Sequence, residues 1–342
     1  MVSLLDSSRT RGKGVPGMIG AVVRGNGSVI MGASGVRKVG SDDPIRVDHQ
    51  VHIGSCTKAM TATMIGTLVE EGKLAWNSTI QEVFPGRSGG FHPDFRSVTL
   101  RQLLAHRAGL PPNVAWRTVG LGLSDTDKRR VVLSMVLKDA PKSSGGHRFE
   151  YSNVGYVLAG LMAEEVTGIT WDALMQTRIF EPLGMTSTGF GPPGHSEVDD
   201  QPWGHIEVGG IFQPIRLDNP SVMGPAGTVH CSVSNWAKFA RLHLGSVPEG
   251  NRPPKQETLK ALHAPAKDED YVCGWLIRER AWAGGSALSH SGSNTTWYST
   301  IWVAPVRQIA FLVATNSGGN RASRACDEAI SRMIRLVGMD GS

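Results

Sequence analysis

The chain lacks the marks of several large protein classes. No apolar run approaches the length of a membrane span. The start, Met1-Val2-Ser3-Leu4-Leu5-Asp6, has no long apolar core of the signal-peptide kind. Cys56, Cys231, Cys273 and Cys326 are scattered, with no C-x-x-C pair and no zinc spacing. They read as free buried thiols, which favours a reducing compartment. The expectation is a cytoplasmic chain, or a periplasmic or secreted one if a leader has been removed. The eleven histidines contain no H-E-x-x-H, so metal hydrolysis has no support and no cofactor is implied. No block of like charge is longer than Lys128-Arg129-Arg130, and the net charge is only +5. That excludes a charge-based case for nucleic acid.

What is present is enough for a large core. Hydrophobic residues make up 40% of 342 positions and charged residues 19%, while 42 glycines and 19 prolines imply many turns. Met18 to Val23 and Ser28 to Met31 flank Arg24-Gly25-Asn26-Gly27 and predict a β-hairpin. Helices are predicted from Thr57 to Glu71, Leu100 to His106, Asp127 to Lys138, Asn153 to Thr167 and Trp171 to Phe180. A further one is capped by Ser234 and runs to Leu244, and Thr258 to Leu262 is a short piece. From Gly189 to Pro225 few regular elements are expected.

Strands return at Val272 to Arg278, Ala287 to Ser291, Thr296 to Ala304 and Gln308 to Thr315, before a last helix from Ala322 to Val337. Strands at both ends and helices between predict an α/β domain from residues 1–57 and 268–342. A mainly helical domain, residues 58–267, is inserted in it, with the active site between the two.

Two familiar patterns are decoys. Gly12-Lys13-Gly14-Val15-Pro16-Gly17 matches G-x-G-x-x-G but runs into a strand instead of a helix. Gly86-Arg87-Ser88-Gly89-Gly90 matches G-x-S-x-G but lacks the strand and helix that strain a serine outward.

Ser55-Cys56-Thr57-Lys58 carries more. One helical turn brings positions i and i+3 onto one face. An amine there can take the serine's proton once burial or nearby positive charge lowers its pKa. Cys56, one step round the helix, reads as a core residue. Tyr151-Ser152-Asn153 stands at a helix head, where a phenol can relay a proton and an amide can orient base and substrate. An ordinary N-cap is the alternative. His290-Ser291-Gly292-Ser293 ends a predicted strand. Gly292 lets a substrate backbone approach the strand edge, and the backbone N–H groups of Ser55 and Ser293 can form an oxyanion hole. A plain strand-terminal turn is the alternative here.

S-x-x-K, then Y-x-N about a hundred residues on, then [KH]-[ST]-G near the end resembles the serine β-lactamase and penicillin-binding-protein superfamily. The likeness is to its class C branch, which also holds D-alanyl-D-alanine carboxypeptidases, D-aminopeptidases and family VIII carboxylesterases. Leu103 to Leu110 is similar to the family's L-L-T-H-T-S-G-L stretch, and Phe149 to Gly160 to its Y-S-N-x-G-Y-x-L-x-G helix. Pro182-Leu183-Gly184-Met185 and Pro225-Ala226-Gly227 fit its inner loops.

The resemblance implies an α+β fold, with an antiparallel sheet built from both termini and flanked by helices. It implies Ser55 as nucleophile, Lys58 as base, Tyr151 as proton relay and Asn153 as holder of Lys58 and a substrate amide. Asn113 is expected on the acyl side, Ser291 and Gly292 along the substrate, and Arg321 or Arg324 on a substrate carboxylate. The implied substrates are an ester, a β-lactam or a D-Ala peptide. A non-catalytic binding or sensor protein is a third reading, and oligomeric state is unassigned.

Two departures matter. His290 stands where class C β-lactamases have lysine, which weakens the case for efficient penicillin hydrolysis. An imidazole titrates near neutrality, so His290 is expected to be the pH-sensitive group, its inflection lost in His290→Lys. The class A glutamate loop has no counterpart.

Overall fold

The computed structural model describes residues 1–11, 14–141, 148–194, 198–246, 254–267 and 269–339. The start of the glycine-rich decoy, Gly12 and Lys13, lies outside them, as does Asp268 at the expected domain boundary. β1 (Gly17–Arg24) and β2 (Val29–Gly35) form the expected hairpin. Five strands come from the other end of the chain: β3 (Tyr271–Val272), β4 (Trp275–Arg280), β5 (Gly285–Ser293), β6 (Tyr298–Ala304) and β7 (Ile309–Thr315). The order across the antiparallel sheet is β2-β1-β7-β6-β5-β4-β3. β1 and β7 meet from Met18↔Thr315 to Arg24↔Ile309, so the two ends of the chain close one sheet. Every residue of β7 is buried, as expected of an apolar run covered on both faces.

Each face has its own core. α1 (Val2–Thr10) and the last helix, Gly319–Leu336, cover one side, where Leu5, Val22, Phe311, Ile330 and Met333 cluster. α1 was not foreseen, because only Leu5 and Ser8 along it are buried and its apolar pattern is short. The other side meets the helical segment through a larger cluster containing Ile19, Ile53, Met60, Leu158, Phe239 and Leu312.

Local signals set the helices there. α2 (Thr57–Glu70) follows a 3-10 turn, Gly54–Cys56. α3 (Leu100–Leu104) starts in a capping box of Thr99 and Gln102. It stops short of the expected His106, whose φ of 58° is left-handed. α4 (Asp125–Val136) begins two residues early, because Ser124 caps it. α5 (Asn153–Thr167) has its expected bounds, with Ser152 capping and Gly168 at φ 69° closing it. The helix from Trp171 becomes a π turn over Gln176–Phe180. α6 (Val233–His243) is capped by Ser232, not Ser234.

Two expectations fail for backbone reasons. The strand Val272 to Arg278 is broken by Cys273 and Gly274, at φ 50° and 84°. A Cβ on Gly274 would lie 2.3 Å from Ala59 N, so this break is where the sheet edge touches α2. The segment 189–225 holds a hairpin, Gly204–Val208 with Ile211–Ile215, turned by Gly209 and Gly210. It also holds the strand Gly189–Phe190, in a small sheet with Val229–Ser232 and Gln50–His52. Among the described residues no helix is long and apolar enough to cross a membrane.

Candidate active site

Ser55 lies in the turn that enters α2, and Lys58 sits one turn further in. Lys58 is 0% exposed. Its Nζ is 3.0 Å from Ser55 Oγ, 2.7 Å from Asn153 Oδ1 and 2.7 Å from the Ala226 carbonyl oxygen. No carboxylate pairs with it among the described residues, and burial pulls its pKa from 10.5 down to about 7. The geometry suits a neutral amine. Two N–H groups donate to Asn153 and Ala226, and the lone pair is left for the Ser55 hydroxyl proton.

Tyr151 and Asn153 arrive together at the head of α5. His106 fixes this corner: its Nδ1 accepts from Ser152 N at 3.1 Å, and its carbonyl accepts from Glu150 N at 2.8 Å. The His106 ring lies 4.3 Å from that of Tyr151, whose ring centroid is 5.0 Å from Lys58 Nζ. Tyr151 is 36% exposed overall. Its phenol is nevertheless held above its ordinary pKa by burial, while a hydrogen bond with Ser55 opposes the rise. A phenol that stays protonated relays a proton better than it stores a negative charge.

Ser293 ends β5 beside the Ser55 turn. A Cβ on Gly292 would lie 2.5 Å from Ser55 N, and one on Gly54 would lie 2.4 Å from Ser293 N. Gly54, at φ 50°, is doubly constrained. These glycines let the two backbone N–H groups stand side by side. Ser291 is exposed at the same edge and donates to Thr300 Oγ1 at 3.2 Å.

His290 departs from expectation. It is buried on β5, and its Nε2 is 3.1 Å from the Tyr271 hydroxyl. Burial first, and then Lys58, push its pKa down to about 3, so it stays neutral through the physiological range. The group that titrates near neutrality is Lys58, not His290.

Asn113 joins the site: its Oδ1 accepts from Asn153 Nδ2 at 2.9 Å and from Trp116 Nε1 at 3.0 Å. With Asn153 it borders a cavity of about 530 Å³. The two arginines do not join it. Arg321 pairs with Glu207 at 2.8 Å, on the hairpin that the sequence hid. Arg324 lines a separate cavity of about 710 Å³ beside α1, along with Arg11, Asp327 and Glu328. None of Ser55, Lys58, Tyr151 and Asn153 lines that cavity.

Sequence reasoning missed several participants. The Ala226 carbonyl has no side-chain signature. Tyr271 gave no signal, and His106 was visible only inside a resemblance. A buried brace was also missed. His52 Nδ1 accepts from Gly54 N at 3.0 Å, and its Nε2 lies 2.9 Å from Asp218 Oδ1. The same oxygen accepts from Asn294 Nδ2 at 2.8 Å. One carboxylate thus stands between His52, which holds the residue before Ser55, and Asn294, the residue after Ser293.

The decoys fall away. Ser88 lies in a 3-10 turn, with its hydroxyl donating to Pro85 O at 3.0 Å. Cys56 is packed under β5, and burial pushes its thiol up to about 12. Among the described residues no group of three His, Cys, Asp or Glu is placed to hold a metal.

Comparison with known proteins matches the chain to a family. The family model described as Beta-lactamase covers residues 6–332. The chain belongs to the Beta-lactamase family. It is 28% identical over 305 residues to penicillin-binding protein 4 of Amycolatopsis lactamdurans, covering 84% of this chain and 77% of that one. Several other curated relatives are longer, and the chain spans 52% of their length. Among solved structures it resembles the octameric penicillin-binding protein homologue of Pyrococcus abyssi. The TM-score is 0.79 at 25% identity, over 98% of this chain and 76% of that chain. It also resembles the D-amino acid amidase of Ochrobactrum anthropi SV3, with a TM-score of 0.77 at 23% identity over 98% and 97% of the two chains. The family and its fold are those of serine hydrolases with a β-lactamase/transpeptidase-like architecture.

Proposed function

We propose that this protein hydrolyses an ester or an amide through an acyl-enzyme on Ser55. The observation that carries the reading is a fully buried Lys58, unpaired with any described carboxylate and 3.0 Å from Ser55 Oγ. Neutral Lys58 takes the serine proton as Ser55 Oγ attacks the carbonyl carbon. Tyr151 passes a proton to the leaving group and later helps water attack the acyl-enzyme. Asn153 holds Lys58 through Oδ1. The N–H groups of Ser55 and Ser293 stabilise the oxyanion, worth about 2.7–4 kcal/mol per donor. The acyl group extends into the cavity beside Asn113 and Asn153.

Within this reading an esterase or a weak β-lactamase is favoured over a D-Ala carboxypeptidase. Arg321, offered for a terminal carboxylate, is engaged by Glu207. His290, being neutral, supplies no cation at the third motif. A non-catalytic sensor is disfavoured, because Ser55, Lys58, Tyr151 and Asn153 stand together with a base in working condition.

The test is a parallel assay of p-nitrophenyl butyrate, nitrocefin and a D-Ala-D-Ala peptide, with Ser55→Ala as control. Ester turnover should exceed the other two and fall about 10⁴-fold or more in Ser55→Ala. Intact mass should show the butyryl adduct on Ser55. Full activity in Ser55→Ala would end the proposal.

A further inference from the structure

The cavity beside Asn153 has a pronounced charge asymmetry. At its Ser55 end stand Asn113 and Asn153, Trp116 and Met223 form apolar walls, and Arg117 borders it. A second cavity of about 200 Å³ shares Trp116, Arg117 and Pro220 with the first and continues to Leu121. Among the described residues no Asp or Glu lines either one. Lys128 borders the outer cavity but is neutralised by Asp125, 3.0 Å away.

Arg117 is different. It is exposed, it donates to the Asp218 carbonyl at 3.3 Å, and it makes no ion pair among the described residues. The Asp218 carboxylate forms no ion pair with it: Oδ1 accepts from Asn294 Nδ2 and the Asn219 N–H and lies 2.9 Å from His52 Nε2, and Oδ2 is buried. Most of the guanidinium's N–H donors are therefore left for an outside partner. Trp116 is held beside it by its bond to Asn113, which is linked through Asn153 to Lys58. The groove wall is thus tied to the base, and among its described lining residues the charge left without an ion pair is positive.

We propose that the preferred acyl group carries a carboxylate, bound by Arg117, on an apolar body resting against Trp116 and Met223. This rests on the Ser55 acyl-enzyme reading. A guanidinium matches a carboxylate in shape as well as charge, and an exposed pair of this kind is worth up to about fivefold in affinity.

The experiment compares kcat/KM for p-nitrophenyl butyrate and mono-p-nitrophenyl glutarate, which differ chiefly in the terminal carboxylate. Wild type should favour the glutarate by about fivefold at low salt, less at high salt. In Arg117→Gln the ratio should fall towards one, and in Arg117→Lys it should recover in part. Equal rates in wild type, or a preference that survives Arg117→Gln, would overturn the inference. Mass spectrometry separates the two levels. A Ser55 butyryl adduct without glutarate preference removes the inference alone, whereas no adduct with either ester removes the acyl-enzyme reading and the inference with it.

Discussion

Two cations lie fully buried in the helical segment, and they are handled in opposite ways. Arg129, 0% exposed, is 2.5 Å from Glu164 Oε1 and donates to the carbonyls of Val222 and Ser221. Lys58, also 0% exposed, has neutral acceptors and a serine hydroxyl but no anion. A buried guanidinium cannot shed its proton, so it needs a counterion. A buried amine without a counterion lowers its pKa instead. The same desolvation therefore makes a structural pair at one place and a base at the other.

Exchanging roles should break this contrast. Lys58→Met should cut kcat/KM by about 10²–10⁴-fold, the contribution of a positioned base, while Tm holds or rises. Arg129→Met should do the reverse. It strands Glu164 and should cost about 3–5 kcal/mol in urea unfolding, with the folded fraction still active. Replacing both Arg129 and Glu164 by apolar residues should recover most of that loss. If Arg129→Met inactivates without destabilising, the two cations are not opposites.

pH sharpens the same contrast. The log of kcat/KM should rise through an inflection near 7 as Lys58 loses its proton, and His290→Asn should keep that inflection. An inflection that vanishes in His290→Asn would return the role to the histidine. Stability should move as well. His106, His243, His263 and His290 are all held below 6.5 by burial, down to about 4 for His263 and about 3 for His290. The unfolded chain then binds more protons than the folded one below 6.5. The urea midpoint should therefore fall as pH drops through 6.5 towards 4.

The smallest effect is expected at the brace. Asp218→Asn removes the negative charge that lies between His52 Nε2 and Asn294, while keeping side-chain size. It should lower kcat about tenfold or less, with a smaller change in KM.

Ser55 and Lys58 were legible because i, i+3 spacing becomes proximity as soon as a helix forms. Asn153 was legible because Ser152 and Gly168 punctuate α5 at both ends. What stayed hidden depended on contacts distant in sequence or on atoms without a residue signature. The Ala226 carbonyl is backbone, and His52 and Asp218 meet only once the sheet closes. Arg321 looked available because the hairpin that pairs with it is written in glycine and proline. His290 looked titratable because a free imidazole is. Only the fold reveals how completely β5 buries it beside Lys58.

The most direct test of the central claim is an NMR titration of the Lys58 ε-ammonium in otherwise wild-type protein. A pKa near 7, rising when Asn153 is replaced by Asp, is the predicted result. A pKa near the ordinary 10.5 would contradict it, because Lys58 would then be charged at neutral pH and unable to take the Ser55 proton.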